Sequence, residues 1–522
     1  MITIRRCQKL AALAVFFGLA ASGGAAEVAG ADLFSGGVRQ IRIVIAPSEM
    51  ESLRASSRTY VTATVSEGGK VFEKVGVHLK GSTGSFRTLD TKPALTLNFE
   101  RFGLGQKFHG LGKIHLNNSV EDPSYLNEWL GGELFRAAGV PAPRVAHALV
   151  ELNGRKLGLY VLKEGFTKDF LALHFRRTDG NLYDTGGGHE VTDAMERNSG
   201  AGPDNHADLQ ALAAAAQEPD RARRWQRLGQ TLDVERFVSF MAMEVMAGHR
   251  DGYCLARNNF RIYHDPAADR MVFLPHGMDN LFGKADATLR PRMAGLVARA
   301  VLETPEGRRL QRARTQELFT NLFHVATLTN RVNERVARLR PALDRGAARE
   351  LTAQAALVKE RIARRVLDLA RQLAEPEPAP PAFTNGVAGV TGWRMVDAPA
   401  GGKLDQAKSP DGRTALHIRA GPVTSASWRA TVLLEPGRYR FEGRASSAGV
   451  RALKFGKNSG AGLRVAGVAV AKPQPLTGDS PWTKLAVEFD AGPDGAELIC
   501  ELRASAGEAW FDAESLQLTR IR

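Results

Sequence analysis

The stretch GHRDGYCLARNNFRIYHDPAADRMVFLPHGMDNLFG, Gly248–Gly283, decides the fold at the centre of this chain. Two short apolar runs, Phe260–Tyr263 and Met271–Leu274, flank His264-Asp265-Pro266-Ala267-Ala268-Asp269. Strand-forming residues on either side of a Pro/Asp cluster predict a β-hairpin. Asp251 precedes it, the paired amides Asn258 and Asn259 enter it, and Asp279 follows it. Folding back at the turn brings Asn259 near Asp279, and both near Asp251. Phosphoryl transfer uses such a set: one carboxylate orients a hydroxyl, while a carboxylate and an amide hold Mg²⁺. Asx residues before and after strands also serve ordinary turns, so the residues alone leave that alternative open.

At 522 residues, two or three domains are expected. Apolar content of 43% and charged content of 24% describe globular protein rather than disorder. The start reads as a signal peptide over 1–26: Arg5, Arg6 and Lys9, then the apolar Leu10–Ala21, then Gly24-Ala25-Ala26. Twelve apolar residues are too few to span a bilayer comfortably. The expectation is export to a periplasmic, cell-surface or secreted location, with no transmembrane anchor in the mature chain. Cys254 and Cys500 remain after the leader, too far apart in sequence and role for an expected disulfide. Cys254 reads as a buried apolar residue rather than a nucleophile. Net charge is +14, concentrated in Arg290–Glu375, where 18 Arg/Lys face 9 Asp/Glu. That region has helical periodicity, few aromatics and no nucleic-acid motif, so it reads as a solvated helical surface and no nucleic acid is expected.

In chain order, Val38–Ile45 is an alternating strand, Ser48–Ser56 a short helix, and Tyr60–Val65 with Val71–Leu79 a hairpin. The second strand runs into Lys80-Gly81-Ser82-Thr83-Gly84-Ser85, and Ala94–Phe99 resumes as a strand. A strand, a Gly/Ser loop and a returning strand can lay backbone N–H groups over phosphates. Lys92 then points an ammonium at them, with Lys80 second; an ordinary surface lysine at a strand end is the other reading. Asp122-Pro123-Ser124 caps a helix Tyr125–Ala138, whose Glu128 or Glu133 can pair with such a lysine. Val145–Glu151, Asn153-Gly154 and Leu157–Lys163 make the clearest hairpin. Residues 176–205, rich in Gly, Asp and Asn, read as a loop or lid. Helices follow at Leu209–Ala215, Trp225–Leu232 and Val234–Met246, then from the central hairpin to about Ala374. EPEPAPP, Glu375–Pro381, is a stiff linker. Beyond it come six short alternating strands, including Glu497–Arg503 and Trp510–Leu518, and no helix pattern, the marks of a β-sandwich. Trp393, Trp428, Trp482 and Trp510 are candidates for a sugar-stacking platform, set against their more usual place in the core.

With these residues in view, the chain resembles the CotH (spore coat protein H) kinase family over about 32–375. The resemblance rests on VGVHLKGSTGS, TKPALTLNF, EDPSYLNEWLGGELFRAAGVPAPR, VELNGRKLGLYVLKEGF, GNLYD, and RNNFRIYHD to FLPHGMDNLFG, all in family order. It implies a divergent protein-kinase-like fold and phosphorylation of a protein acceptor, at Ser or Thr, with ATP and Mg²⁺, or Mn²⁺ in its place. By position it makes Asp251 the catalytic acid and Asn259 and Asp279 the metal ligands. Lys92, Lys80, Gly81, Ser82 and Glu164 fall to the nucleotide. Protein kinases place the amide five residues after the catalytic acid, where this chain has Ala256. Members of the family commonly carry Trp-Asp-x-Asp before the Gly, where this chain has His276-Gly277-Met278-Asp279. Either metal affinity is reduced, or His276 takes part. The C-terminal region resembles carbohydrate-binding and galactose-binding-like jelly rolls, which implies a glycan partner.

The expected fold is therefore multidomain. An α+β divergent protein-kinase-like two-lobed domain (small lobe about 32–165, large lobe about 166–375) precedes a Pro-rich linker over 376–382. An all-β jelly-roll sandwich follows over 383–522. The expected function is an exported atypical kinase tethered by a glycan-binding module. The rival is a non-catalytic surface scaffold on the same fold, favoured by Gly277 and by the scarcity of ATP outside cells. A hydrolase using His249 or His276 as base ranks last, with no Ser or Cys motif to support it.

Overall fold

The computed structural model describes residues 28–82, 84–184, 187–375, 380–454, 459–468, 475–492 and 495–521. The expected signal peptide, Thr83 of the Gly/Ser loop and most of the Pro-rich linker lie outside them. The chain packs as two compact units. The first takes the chain up to Glu133, Pro143–Asp179 and Asn333–Ala355; the second takes Leu134–Ala142, Gly180–Val332 and Ala356 onward.

The first unit is built on seven strands: β1 Arg39–Ile45, β2 Val61–Glu67, β3 Lys70–Lys80, β4 Ala94–Asn98, β5 Lys113–Asn117, β6 Val145–Leu152 and β7 Arg155–Glu164. They close into a barrel in the order β1-β2-β3-β4-β5-β7-β6. Period-two alternation drives this: every second residue of β1 and β2 is buried, and Ile41, Ile43, Val61, Ala63 and Val65 meet Val75, Leu97, Ile114 and Tyr160 inside. Closure comes from a parallel pairing of β1 with β6, Arg39 opposite Ala148 through Ile43 opposite Leu152. Asn153, in the left-handed region at φ 46°, clamps it by binding both the N–H and the carbonyl of Ile45. The closed barrel departs from the kinase-like small lobe expected from sequence. Its fifth strand, KIHLN, is too short and polar to be read alone, and the β1–β6 pairing joins residues about a hundred positions apart.

In the second unit β8 Leu182–Asp184, β9 Glu196–Ser199, β10 Phe260–Asp265 and β11 Arg270–Pro275 form a sheet in the order β11-β10-β8-β9. The expected central hairpin is there, Phe260 opposite Pro275 through Asp265 opposite Arg270. Two strands lie inside the Gly/Asp/Asn-rich segment expected to be a lid. Helices Ala207–Gln217, Arg221–Thr231 and Val234–Ala247 precede the hairpin, and the helical run ends with Arg345–Ala374.

The C-terminal residues are all strand and turn among those described: β12 Val387–Gly389, β13 Arg394–Val396, β14 Lys403–Lys408, β15 Thr414–Arg419, β16 Thr424–Val432, β17 Gly437–Ala452, β18 Gly460–Val465, β19 Gly478–Ala491, β20 Ala496–Asp512 and β21 Gln517–Ile521. They wrap one apolar core that includes Leu416, Trp428, Phe441, Leu463, Val487 and Phe511. The two strands expected at Glu497–Arg503 and Trp510–Leu518 are one strand through Asp512 and a separate β21. The Ser505-Ala506-Gly507 stretch that reads as a break between them is instead a bend within the strand, taken at the glycine. A Cβ on Gly507 (φ 91°) would lie 2.4 Å from the Gly449 carbonyl oxygen, so the two long strands β17 and β20 touch backbone to backbone there.

Candidate functional site

The helix Val234–Ala247 starts at Asp233, whose carboxylate accepts the Arg236 N–H, and ends at Gly248 with φ 70°. The next residues carry Asp251, and they are held from beneath. Glu244, fully buried in the last turn of the helix, accepts the backbone N–H of Tyr253 at 2.9 Å and of Cys254 at 2.8 Å. A Cβ at Gly252 would lie 2.2 Å from Glu244 Oε1, so the loop passes only as glycine. Burial pushes the Glu244 carboxyl up to about 8, against the pull of these N–H groups. Arg365, also fully buried, donates to the carbonyls of Val245 at 2.8 Å and Met246 at 3.1 Å, and to those of Ala285 and Ala287. A cation on the last carbonyls of a helix is favoured by the helix dipole. His249, buried, places Nε2 3.1 Å from the His276 carbonyl, tying the loop to the exit of β11. That contact makes His249 a brace rather than the hydrolytic base of the last-ranked reading.

Asp251 itself is exposed, and its Oδ2 accepts both the Asn258 amide at 2.9 Å and the Asn259 amide at 2.7 Å. The structure thus joins three of the residues singled out at the hairpin mouth. With the Asn259 NH₂ turned to Asp251, its carbonyl oxygen faces Gly277. A Cβ there would lie 2.5 Å from Oδ1 and 2.6 Å from Cγ, and Gly277 has φ 62°. A side chain at 277 would therefore collide with the Asn259 amide unless one of them moved. Asp279, half-buried, lies two residues further on. Among the described residues no three His, Cys, Asp or Glu side chains gather as a metal cluster. A carboxylate and an amide oxygen are donor types that suit a hard cation which keeps several waters and takes its remaining ligands from phosphate.

Three supporting residues escape a reading of sequence. Glu190, inside the expected lid, is buried: its carboxylate accepts the Tyr253 hydroxyl at 2.8 Å and the Leu296 N–H at 2.6 Å. The segment expected as a loop or lid thus also holds the Asp251 loop through this buried acid. Glu244 had a signal, a lone acid in the apolar run FMAMEVMA; Arg365 and Glu190 had none. Cys254 is fully buried and its thiol is held well above the ordinary range, as expected of a core residue.

In the first unit Lys92 donates from Nζ to the Tyr125 hydroxyl at 2.8 Å and lies 4.9 Å and 5.1 Å from the Tyr125 and Tyr160 ring centres. Burial alone pulls its ammonium down to about 8. Lys80 donates to Asn117 Oδ1 at 2.6 Å. Among the described residues of the Gly81–Ser85 loop, Ser82 N–H binds Ser85 Oγ, Ser85 and Phe86 N–H bind the Ser82 carbonyl, and Arg58 binds the Gly81 carbonyl. Those N–H groups are spent within the turn rather than presented to a phosphate. Glu164 is fully buried with both oxygens on Arg144, so its carboxylate is not presented to a nucleoside. Sequence missed Lys163, which forms a buried ion pair with Glu128 of the helix Asn127–Ala137 at 3.0 Å.

Of the four tryptophans, Trp428 and Trp510 are buried, and Trp393 packs on the core with its indole N–H on the Val390 carbonyl. Trp482 is half-buried, its N–H on Asp411 at 2.9 Å and the Arg413 guanidinium 5.8 Å from its ring centre. An aromatic platform is thereby reduced to one ring.

Among known proteins, the family model described as CotH kinase protein matches residues 77–362, more than half of the chain. The inner spore coat protein H of Bacillus subtilis (strain 168) is 22% identical over 257 residues, covering 45% of this chain and 69% of its own. Invasin CotH2 of Rhizopus delemar is 23% identical over 252 residues, covering 42% of each. Two solved structures are similar to part of the chain: TmCBM61 in complex with β-1,4-galactotriose (16% identity, 27% of this chain and 95% of that one, TM-score 0.19), and CBM35 from Paenibacillus barcinonensis (13%, 26% and 95%, TM-score 0.17). Scores of that size carry no argument on what this chain binds.

Proposed function

Because this chain belongs to the CotH kinase protein family, we propose that it is an exported phosphotransferase that moves the γ-phosphate of ATP to Ser or Thr of a protein acceptor. The observation that carries this reading is the Asp251 carboxylate, held at the hairpin mouth by the Asn258 and Asn259 amides. Two amide donors on one oxygen hold the carboxylate in place. The other oxygen is left to accept the acceptor hydroxyl's proton and aim its oxygen. Asn259 and Asp279 would hold Mg²⁺ or Mn²⁺, which neutralises charge on the phosphate oxygens when bound. Glu244 and Arg365 keep the loop in one geometry, which matters because such sites work by positioning and electrostatics. Lys92, with no carboxylate partner among the described residues, is the first unit's lysine best suited to a phosphate; the Lys163–Glu128 pair is its alternative. A surface or secreted location accords with relatives named as a spore coat protein and an invasin. No helix among the described residues is long and apolar enough to cross a membrane.

The second reading, a non-catalytic scaffold with a glycan-binding sandwich, is favoured by the glycine at 277 and by the Ser82, Ser85 and Phe86 N–H groups being bound within their own turn. A thermal shift on the mature chain, with and without ATP and Mg²⁺, separates the two. A rise in melting temperature that requires both and disappears in Asp279→Ala supports the kinase; no shift at millimolar ATP supports the scaffold.

A further inference from the structure

One face of the C-terminal domain carries a polar array that neither the core nor the phosphotransfer reading uses. Strand β20 runs between β16 and β18, and its even residues Leu498, Cys500 and Leu502 enter the core. Its odd residues face the other way and meet cross-strand partners in three rows: Ile499 between Arg429 and Arg464, Glu501 between Ser427 and Gly462, and Arg503 between Ser425 and Gly460. Glu501 is the centre, 6% exposed, with three arginines around it. Arg464 Nε lies 2.7 Å from Glu501 Oε1 as an ion pair, its N–H off the line to that oxygen, so charge rather than a well-aimed hydrogen bond holds the acid. Beside it is room: a Cβ on Gly462 would meet nothing within 4 Å. Arg429 is aimed by Ser427 Oγ at 3.0 Å and by Glu497 at 3.2 Å, and about a quarter of its side chain, like that of Arg464, reaches solvent.

We propose that this hollow over Gly462, floored by Glu501 and Ser427 and rimmed by Arg429, Arg464 and Arg503, binds an anionic saccharide. The inference rests on reading this domain as a glycan-binding module and names where and what it binds. Guanidinium forks read carboxylate or phosphate groups by paired N–H donors. Once Arg464 swings from Glu501 to the ligand anion, the freed carboxylate accepts sugar hydroxyls, and Ser427 adds a further hydroxyl contact. Glu497 and Asp397 lie on Arg429 and Glu501 on Arg464, so the array offers guanidinium donors beside carboxylate acceptors, which suits a ligand with both an anion and hydroxyls and disfavours an apolar one. Carboxylated and phosphorylated sugars share this chemistry, and separate arms of the test distinguish them.

The test is isothermal titration calorimetry on the mature chain with three probes of equal length: oligogalacturonate, a phosphorylated oligomannose and a neutral galacto-oligosaccharide. At least one anionic probe binds, the neutral one binds at least tenfold more weakly, and affinity falls with salt. Gly462→Val fills the hollow without touching a charge and suits a strand. It lowers affinity at least tenfold with no loss of melting temperature, and Arg464→Gln does the same. Binding of the neutral probe alone, unmoved by Gly462→Val, overturns this site while sparing the glycan-binding reading. No binding of any probe overturns both.

Discussion

At the scale of single residues, the site is decided by what each atom is left to do. Asp251 was legible because it, Asn258 and Asn259 lie within one short stretch, and a hairpin read from composition brings them together. Gly277 read as a lost acid; its close contact with the Asn259 amide was not legible, because that amide arrives across the strand pair. This gives a sharp expectation. Gly277→Asp, which restores the family pattern, strains the backbone at φ 62° and displaces Asn259. It should destabilise the fold by about 1–2 kcal/mol or more and weaken the Mg²⁺-ATP thermal shift. Higher melting temperature and higher activity in that variant would contradict the geometry. Glu244 gives a second. Its folded value of about 8 is above the ordinary 4.5, so its contribution to stability is full below 4.5 and is lost as pH rises through about 8. Glu244→Gln stays neutral throughout. In urea unfolding between pH 5 and 8, wild type should therefore lose stability relative to the variant as pH rises; parallel curves would refute this.

At the scale of elements, helices and hairpins followed from local pattern, whereas the ties between them did not. The hairpin Phe260–Asp265/Arg270–Pro275 and the helix Val234–Ala247 were plain in the periodicity. Arg365, 119 residues beyond the Met246 carbonyl it caps, looks in sequence like one more arginine of a basic helix. Arg365→Met leaves four carbonyls without that donor, two of them in the buried last turn of the helix, and a loss of about 3–5 kcal/mol is expected from denaturant titration. A change under 1 kcal/mol would mean that water replaces the guanidinium. The turn of the hairpin carries its own pH signature. His264 is held between Asp208 and Asp269, with Tyr183, Asn181 and the Leu209 N–H also on Asp208. The two carboxylates raise the His264 value above 6.5, so its contribution is full below about 6.5 and is lost as pH rises through the raised value. Asp208 is held at about 2, so its share is present above 3.8 and lost as pH falls toward 2. The stability gap between wild type and His264→Gln should accordingly close in alkaline solution; a constant gap would exclude the ion pairs as its source.

At the scale of the whole molecule, sequence carried the division into an α+β part and an all-β part, because the texture changes sharply after Ala374. The closed barrel was not legible. Alternation says which face of a strand is buried, but not that β1 will pair in parallel with β6, a contact fixed only when the whole set curls. The joining of two expected strands into β20 escaped for a related reason, since Ser505-Ala506-Gly507 reads as a break whether the chain turns there or only bends. The central claim spans the molecule too: a chain with this family's pattern, one acid short, still transfers phosphate. It is tested most directly by following labelled γ-phosphate from ATP with the mature chain and Mg²⁺ or Mn²⁺, beside Asp251→Ala and Asp279→Ala. Asp251 is exposed, so its loss should move stability by less than about 1 kcal/mol, and absent label cannot then be blamed on unfolding. The account predicts label on protein with wild type and none with either variant. Label that persists in both variants, or that wild type never produces, would contradict it.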